Sequence, residues 1–130
     1  MIYHSILKSE WEEVKKGTEY APSSLEKDGY VHFSLYDQVI GITYFLYGDQ
    51  DEEVLLLEVD EKKLNPKIIF EDNRRHGRFP HAYGPINLNA VVNVYPLEKV
   101  KKGKNFGFIF PKELHKETID LKTTNIIDVL

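Results

Sequence analysis

The residues of this chain that can do chemistry are five histidines, at positions 4, 32, 76, 81 and 115, and three arginines crowded into DNRRHGR, residues 72–78. Imidazole titrates near neutrality and serves as acid, base or metal ligand. Guanidinium forks grip phosphate and carboxylate through paired hydrogen bonds. The histidines follow no metal-ligand spacing, and a site built from His4, His32 and His81 would lack the carboxylate or thiolate partners that usually accompany one, so no metal is expected. The chain has no cysteine, which excludes disulfides, thiolate metal sites and a thiol nucleophile. It also lacks GxGxxG, P-loop, HExxH and GxSxG motifs.

The elements that must position these residues are legible. His4 sits inside IYHSIL (2–7) and His32 inside YVHFS (30–34), both strand-like. Alternation puts each histidine on the face opposite its neighbours, so adjacent strands would turn both imidazoles toward one cleft. In FPHAYGPIN (79–87), prolines and Gly84 suggest an extended loop leading into a strand; His81 and Tyr83, two residues apart, share one side. Arg74, Arg75 and Arg78 read first as a solvated loop, the commoner fate of such runs; as an oxyanion clamp Arg78 is the best candidate, lying nearest Pro80 and His81. Glu71 is the nearest carboxylate, placed to act as a base, orient a ribose or pair with an arginine. Against these roles stands a plain one, in which each histidine is half-buried and hydrogen-bonded.

The remaining chain supplies the frame. Ser9 with Glu12 reads as a capping box opening a helix from about Glu10 to Lys16, ended by Gly17. Residues 18–29 are turn-rich, with one helical turn after Pro22. Ser34 caps the best helix, 35–48, whose Val39, Ile42, Phe45 and Leu46 recur at core spacing, with Gly48 closing it. EVLLLEVD (53–60) is a strand buried on both faces, followed by strands KIIFED (67–72), NAVVNVYPL (89–97) and FGFIF (106–110). KVKKGKN is a charged turn, and residues 111–130 are an appendage or a tail. Helices gather early and strands late, an α+β pattern in one domain, residues 1–110.

Composition bounds the function. The 130 residues are 42% hydrophobic and 29% charged, the balance of a soluble globular domain. Neither a signal peptide nor a membrane-spanning run is present, and with the absent cysteines this points to a cytoplasmic protein. A net charge of −4 does not support RNA as a partner, although the local arginines suit a phosphate-bearing ligand.

Three blocks, IYH at the N-terminus, DGYVHFSLYDQV at 28–39 and RFPHAYGPINLNAVV at 78–92, together resemble the bacterial domain of unknown function 952 family, over residues 1 to about 110 and excluding 111–130. That family is grouped with the ADP-ribosyltransferase-like superfamily. The resemblance therefore implies a split, mostly antiparallel β-sheet clasping a small nucleotide-like ligand, with NAD as cofactor. It places His4 at the first-strand position and His32 and Ser34 at the second, with Arg78, His81, Tyr83 and Asn87 on the far wall. His32 and His81 are then the catalytic candidates, and His4, Ser34, Arg78, Tyr83 and Asn87 the cofactor-binding ones. The activity implied is ADP-ribosyl transfer or RNA 2′-phosphate transfer. INLNAVV lacks the late-strand glutamate of many such transferases, so a binding or protein-interaction module on the same fold is the alternative.

Overall fold

The structure is a computed structural model and describes residues 1–73 and 77–115. Strand β1 (Ile2–Leu7) runs directly into helix α1 (Lys8–Val14). The capping box expected at Ser9 does not form: the helix starts behind Leu7, and the Ser9 N–H donates to the Glu52 carboxylate at 2.8 Å. A carboxylate brought in from a distant segment thus satisfies a first-turn amide that the sequence assigned to a local cap. After β2 (Glu19–Tyr20), helix α2 (Ser23–Asp28) follows Pro22 as expected and stops at Gly29, whose φ of 87° is the left-handed conformation that glycine adopts most cheaply.

Strand β3 is only Val31–His32, and α3 spans Tyr36–Tyr47. Ser34 is not its cap. Leu35 holds that position, and the Gln38 side chain reaches back to accept the Leu35 N–H at 2.9 Å. The Ser34 backbone instead exchanges two 2.8 Å hydrogen bonds with Tyr3. Next come β4 (Val54–Val59), β5 (Ile68–Asn73), β6 (Gly77–Ala82), β7 (Ile86–Asn87), β8 (Val91–Pro96), β9 (Glu98–Lys102) and β10 (Asn105–Ile109).

Two segments expected as loop or turn are strands. RFPHA is β6, the centre of a three-stranded antiparallel sheet ordered β3-β6-β5. Pro80 is tolerated there because its carbonyl, which accepts the Phe33 N–H at 3.0 Å, faces β3. Its missing donor therefore falls just past the end of a two-residue partner, not in the β5 ladder. KVKKGKN is half of a β9–β10 hairpin, in which the Lys99 and Lys101 amines each lie 4.9 Å from the centre of the Phe106 ring. Cation–π contact lets this lysine-rich segment hold a strand.

The main sheet is ordered β1-β4-β8 and antiparallel. β4 is buried along its whole length because apolar clusters cover both faces of this sheet. Ile2, Ile6, Leu55, Leu57 and Val59 pack on one face with Val31, Phe33 and Ile86. Tyr3, Val54 and Leu56 pack on the other with Val39 of α3, Phe108 and Leu114. The buried Glu58 accepts hydrogen bonds from Tyr3 (2.9 Å), Asn93 (2.9 Å) and Tyr95 (3.4 Å), which satisfy its oxygens inside the core.

Helix α3 departs most from expectation. Its buried residues are Val39 and Thr43, whereas Phe45 is 78% and Leu46 48% exposed and Ile42 is half-buried. Apolar residues run almost around this helix, so periodicity alone does not choose the inward face. Thr43 can be buried because its hydroxyl donates to the Val39 carbonyl at 2.6 Å. At the N-terminal end of α3, Tyr36 stacks on Phe110 with ring centres 4.4 Å apart and donates to the Leu114 carbonyl at 2.8 Å. Residues 111–115 therefore pack on α3; the rest of the expected tail, with Arg74, Arg75 and His76, lies outside the described residues.

Candidate functional site

The two three-stranded sheets meet through the Tyr3–Ser34 bridge and then part. One edge of β1 is paired with β4 throughout. On the other edge Tyr3 bonds Ser34, and by the alternation of an antiparallel ladder Ser5 turns its own N–H and C=O the same way. No strand pairs with β1 there among the described residues, and a cavity of about 650 Å³ opens beside it. This is the volume of a small-molecule site. Ile42, Phe45, Leu46 and Tyr47 of α3 form an apolar wall; Tyr20, Pro22, Ser23 and Ser24 line it from the region of β2 and α2, and His4, Ser5, His32 and Ser34 from the parted strands.

His4 is held at both ring nitrogens. Nδ1 lies 2.6 Å from the His32 carbonyl oxygen, which can only accept, so Nδ1 carries a proton. Nε2 lies 3.1 Å from the Tyr20 hydroxyl, which in turn lies 3.3 Å from Glu10 Oε2. Burial pushes the His4 pKa down to about 4, so the ring is neutral at pH 7. Burial also raises the Tyr20 and Tyr47 hydroxyls above their usual range, with the Glu10 charge adding to both shifts.

A second group lies on one face of the β3-β6-β5 sheet. His32 and His81 are cross-strand partners with ring centres 5.3 Å apart. Tyr30, two residues before His32, stacks on His81 at 3.9 Å, and His81 is only 7% exposed. His81 Nδ1–H and the Tyr83 hydroxyl both donate to Glu71 Oε1, at 2.7 and 2.5 Å. These bonds hold the Glu71 carboxyl below its usual range, Tyr83 having the larger effect and His81 the smaller, and Glu71 pushes the Tyr83 hydroxyl up to about 12. His32 belongs to both groups: the residue is among those lining the cavity, while its Nε2 donates to the Asp28 carboxylate at 2.9 Å.

The structure thus gathers His4, His32 and Ser34 at the cavity and sets His81 and Tyr83 beside them behind His32. It does not bring Arg78 or Asn87 there. The exposed Arg78 guanidinium lies 2.9 Å from the Phe70 carbonyl and 3.6 Å from Asp72. The Asn87 amide is spent on loop backbone, accepting from Asn65 N–H at 2.8 Å and donating to the Lys63 carbonyl at 2.9 Å. Glu71, read from the sequence as a base, a ribose-orienting group or an arginine's partner, accepts from His81 and Tyr83. Sequence reasoning missed Glu10, Tyr20 and the α3 wall. A helix too apolar for one buried face was the available signal for the wall; nothing local marks Glu10, which reaches Tyr20 only through the fold. No group of three or more histidine or acidic side chains suited to a metal comes together among the described residues.

An α+β domain of small antiparallel sheets, with a ligand-sized cavity where its two three-stranded sheets part, is the class that this geometry defines. The chain belongs to the family described as Protein of unknown function (DUF952), whose model matches residues 5–94. It is similar to the crystal structure of protein CC0527 from Caulobacter crescentus, at 27% identity and a TM-score of 0.67 over 80% of this chain and 91% of that one. The solution structure of CC0527 shares the fold at a TM-score of 0.66 and 23% identity, covering 82% of this chain and 90% of that one. No curated protein matches the chain. No helix among the described residues is long and apolar enough to cross a membrane.

Proposed function

We propose that this protein binds an NAD-like nucleotide in the cavity beside β1, on an ADP-ribosyltransferase-like split sheet. The observation that carries the reading is the free peptide edge of Ser5 next to the apolar wall of α3. An N–H and a C=O side by side match the donor and acceptor of a carboxamide, and Phe45, Leu46 and Ile42 offer the face that an aromatic base needs. Binding of nicotinamide and NAD, followed by calorimetry or by amide chemical shifts at Ser5, tests it. Nicotinate is the control, because its carboxylate can only accept and leaves the Ser5 carbonyl without a donor. Equal binding of nicotinamide and nicotinate, or shifts that avoid β1 and α3, would sink the reading.

Group transfer on this cleft is the second reading, and His32 favours it. With Nε2–H held by Asp28, its Nδ1 is left as the basic nitrogen, the arrangement of a general base backed by a carboxylate. The cluster of Tyr30, His81 and Glu71 then fixes the ring. Turnover of NAD or of a 2′-phosphorylated RNA, lost in His32→Asn with ligand binding retained, supports transfer; binding without turnover of either leaves a binding module.

A further inference from the structure

The two carboxylate-backed histidines of the β3-β6-β5 sheet leave a proton count that the protein's own groups do not close. A carboxylate can only accept, so Glu71 fixes the His81 proton on Nδ1 and Asp28 fixes the His32 proton on Nε2. Each neutral ring then keeps a lone pair, on Nε2 of His81 and on Nδ1 of His32. Neither nitrogen meets a donor among the described residues. The His81 side chain is only 9% exposed, so its lone pair is buried without a partner, and buried polar atoms in folded proteins have one. The two residues are directly opposite on paired strands, with ring centres 5.3 Å apart. Two imidazoles that share one tetrahedral ion at about 2.1 Å hold their centres about 5 Å apart. The local charge has the matching sign. Asp28 and Glu71 have no lysine or arginine partner within ion-pair distance among the described residues. Both charges also reach Tyr30, which stacks on His81: burial raises its hydroxyl above the usual range, and the two carboxylates add to the shift.

We propose that His32 and His81 form a binding site for a divalent transition-metal ion of the zinc and copper class, ligated through His32 Nδ1 and His81 Nε2. Imidazole nitrogen suits these ions. Sequence spacing argued against a metal because no carboxylate stands at ligand distance from the histidines. The fold brings two, and it sets them behind the rings. A ligating histidine commonly donates its other N–H to a carboxylate, which fixes the tautomer and makes the ligating nitrogen more basic. Both rings have that backing here. Two protein groups touch the ion, fewer than the set of three that does not occur among the described residues, and solvent completes its coordination. The site stands independently of the nucleotide reading. It competes with a general-base role for His32, because both use Nδ1.

The test is titration calorimetry of the chelator-stripped chain with Zn²⁺, and with Mg²⁺ as the hard-ion control, on the wild type, His32→Ala and Asp28→Asn. The His32 and Asp28 side chains are about half exposed, so both variants leave the core alone. The wild type is expected to bind one Zn²⁺ and no Mg²⁺, and His32→Ala to lose that one-to-one binding. Asp28→Asn should weaken it roughly 10- to 100-fold, the usual effect of removing a carboxylate behind a ligating histidine. Electron paramagnetic resonance of the Cu²⁺-loaded protein should show coupling to two imidazole nitrogens, lost in His32→Ala; an ion held elsewhere on the surface would keep its spectrum in that variant. No Zn²⁺ bound by the wild type, or binding and a copper spectrum that His32→Ala leaves unchanged, overturns the site.

Discussion

His4 shows how burial tunes a single residue. Its pKa falls from 6.5 to about 4, so between these values the unfolded chain binds a proton that the folded chain refuses. Stability therefore falls as the pH drops through that window, by up to about 2–3 kcal/mol. Urea denaturation at pH 7 and pH 4.5 should show this loss in the wild type, and His4→Gln should show a smaller one; equal losses would contradict a buried neutral imidazole. Across the sheet, Tyr83→Phe removes the larger of the two hydrogen bonds that depress Glu71. The Glu71 carboxyl should then titrate closer to the ordinary range, followed by its carbon shift against pH. At this scale the sequence was informative where alternation sufficed: His81 and Tyr83 do share a side. For the expected pairing of imidazoles it did not suffice, since His4 meets the His32 backbone carbonyl while the His32 ring turns to Asp28 and His81. It was uninformative for Tyr20 and Glu10, because a contact between residues ten apart, in different elements, depends on how those elements turn.

The elements divide by what they were read from. β1, β4, β5, β8 and the turn of helix after Pro22 follow from apolar pattern and local breakers, and form within a residue or two of the expected bounds; β8, expected from Asn89, starts at Val91 because Leu88–Ala90 is a 3-10 turn. The strands at β6 and β9 were hidden by proline and lysine, whose local preferences are overridden by neighbours on one side and by the Phe106 ring on the other. In α3 the helix was legible and its orientation was not. Two substitutions separate its faces from the core. Phe45→Ala should change stability by less than about 0.5 kcal/mol, as exposed sites do, while weakening nicotinamide binding. Leu56→Ala, at a fully buried position of β4, should cost about 2–5 kcal/mol. Chemical denaturation of both variants checks the pair; a large loss for Phe45→Ala would return that ring to a structural role. Gly29→Ala forces a side chain into the left-handed region and should cost about 1 kcal/mol by the same measurement.

At the scale of the whole molecule, the two apolar clusters lie on opposite faces of one sheet and share β1 and β4. They should unfold together, giving one calorimetric transition whose enthalpy matches the van't Hoff value; two resolved transitions would show that the faces hold independently. The α+β class was legible from element order, but the parting of the sheets at Tyr3 and Ser34 was not, since a lone bridge leaves no periodic trace. That parting has a consequence for solubility. An unsatisfied strand border is an invitation to any other extended chain, and proteins that leave one open tend to polymerise. Here Ile42, Phe45 and Leu46 of α3 and Tyr20 line the cavity at the border of β1. Side chains set over an open border are one of the ways by which proteins blunt strand pairing.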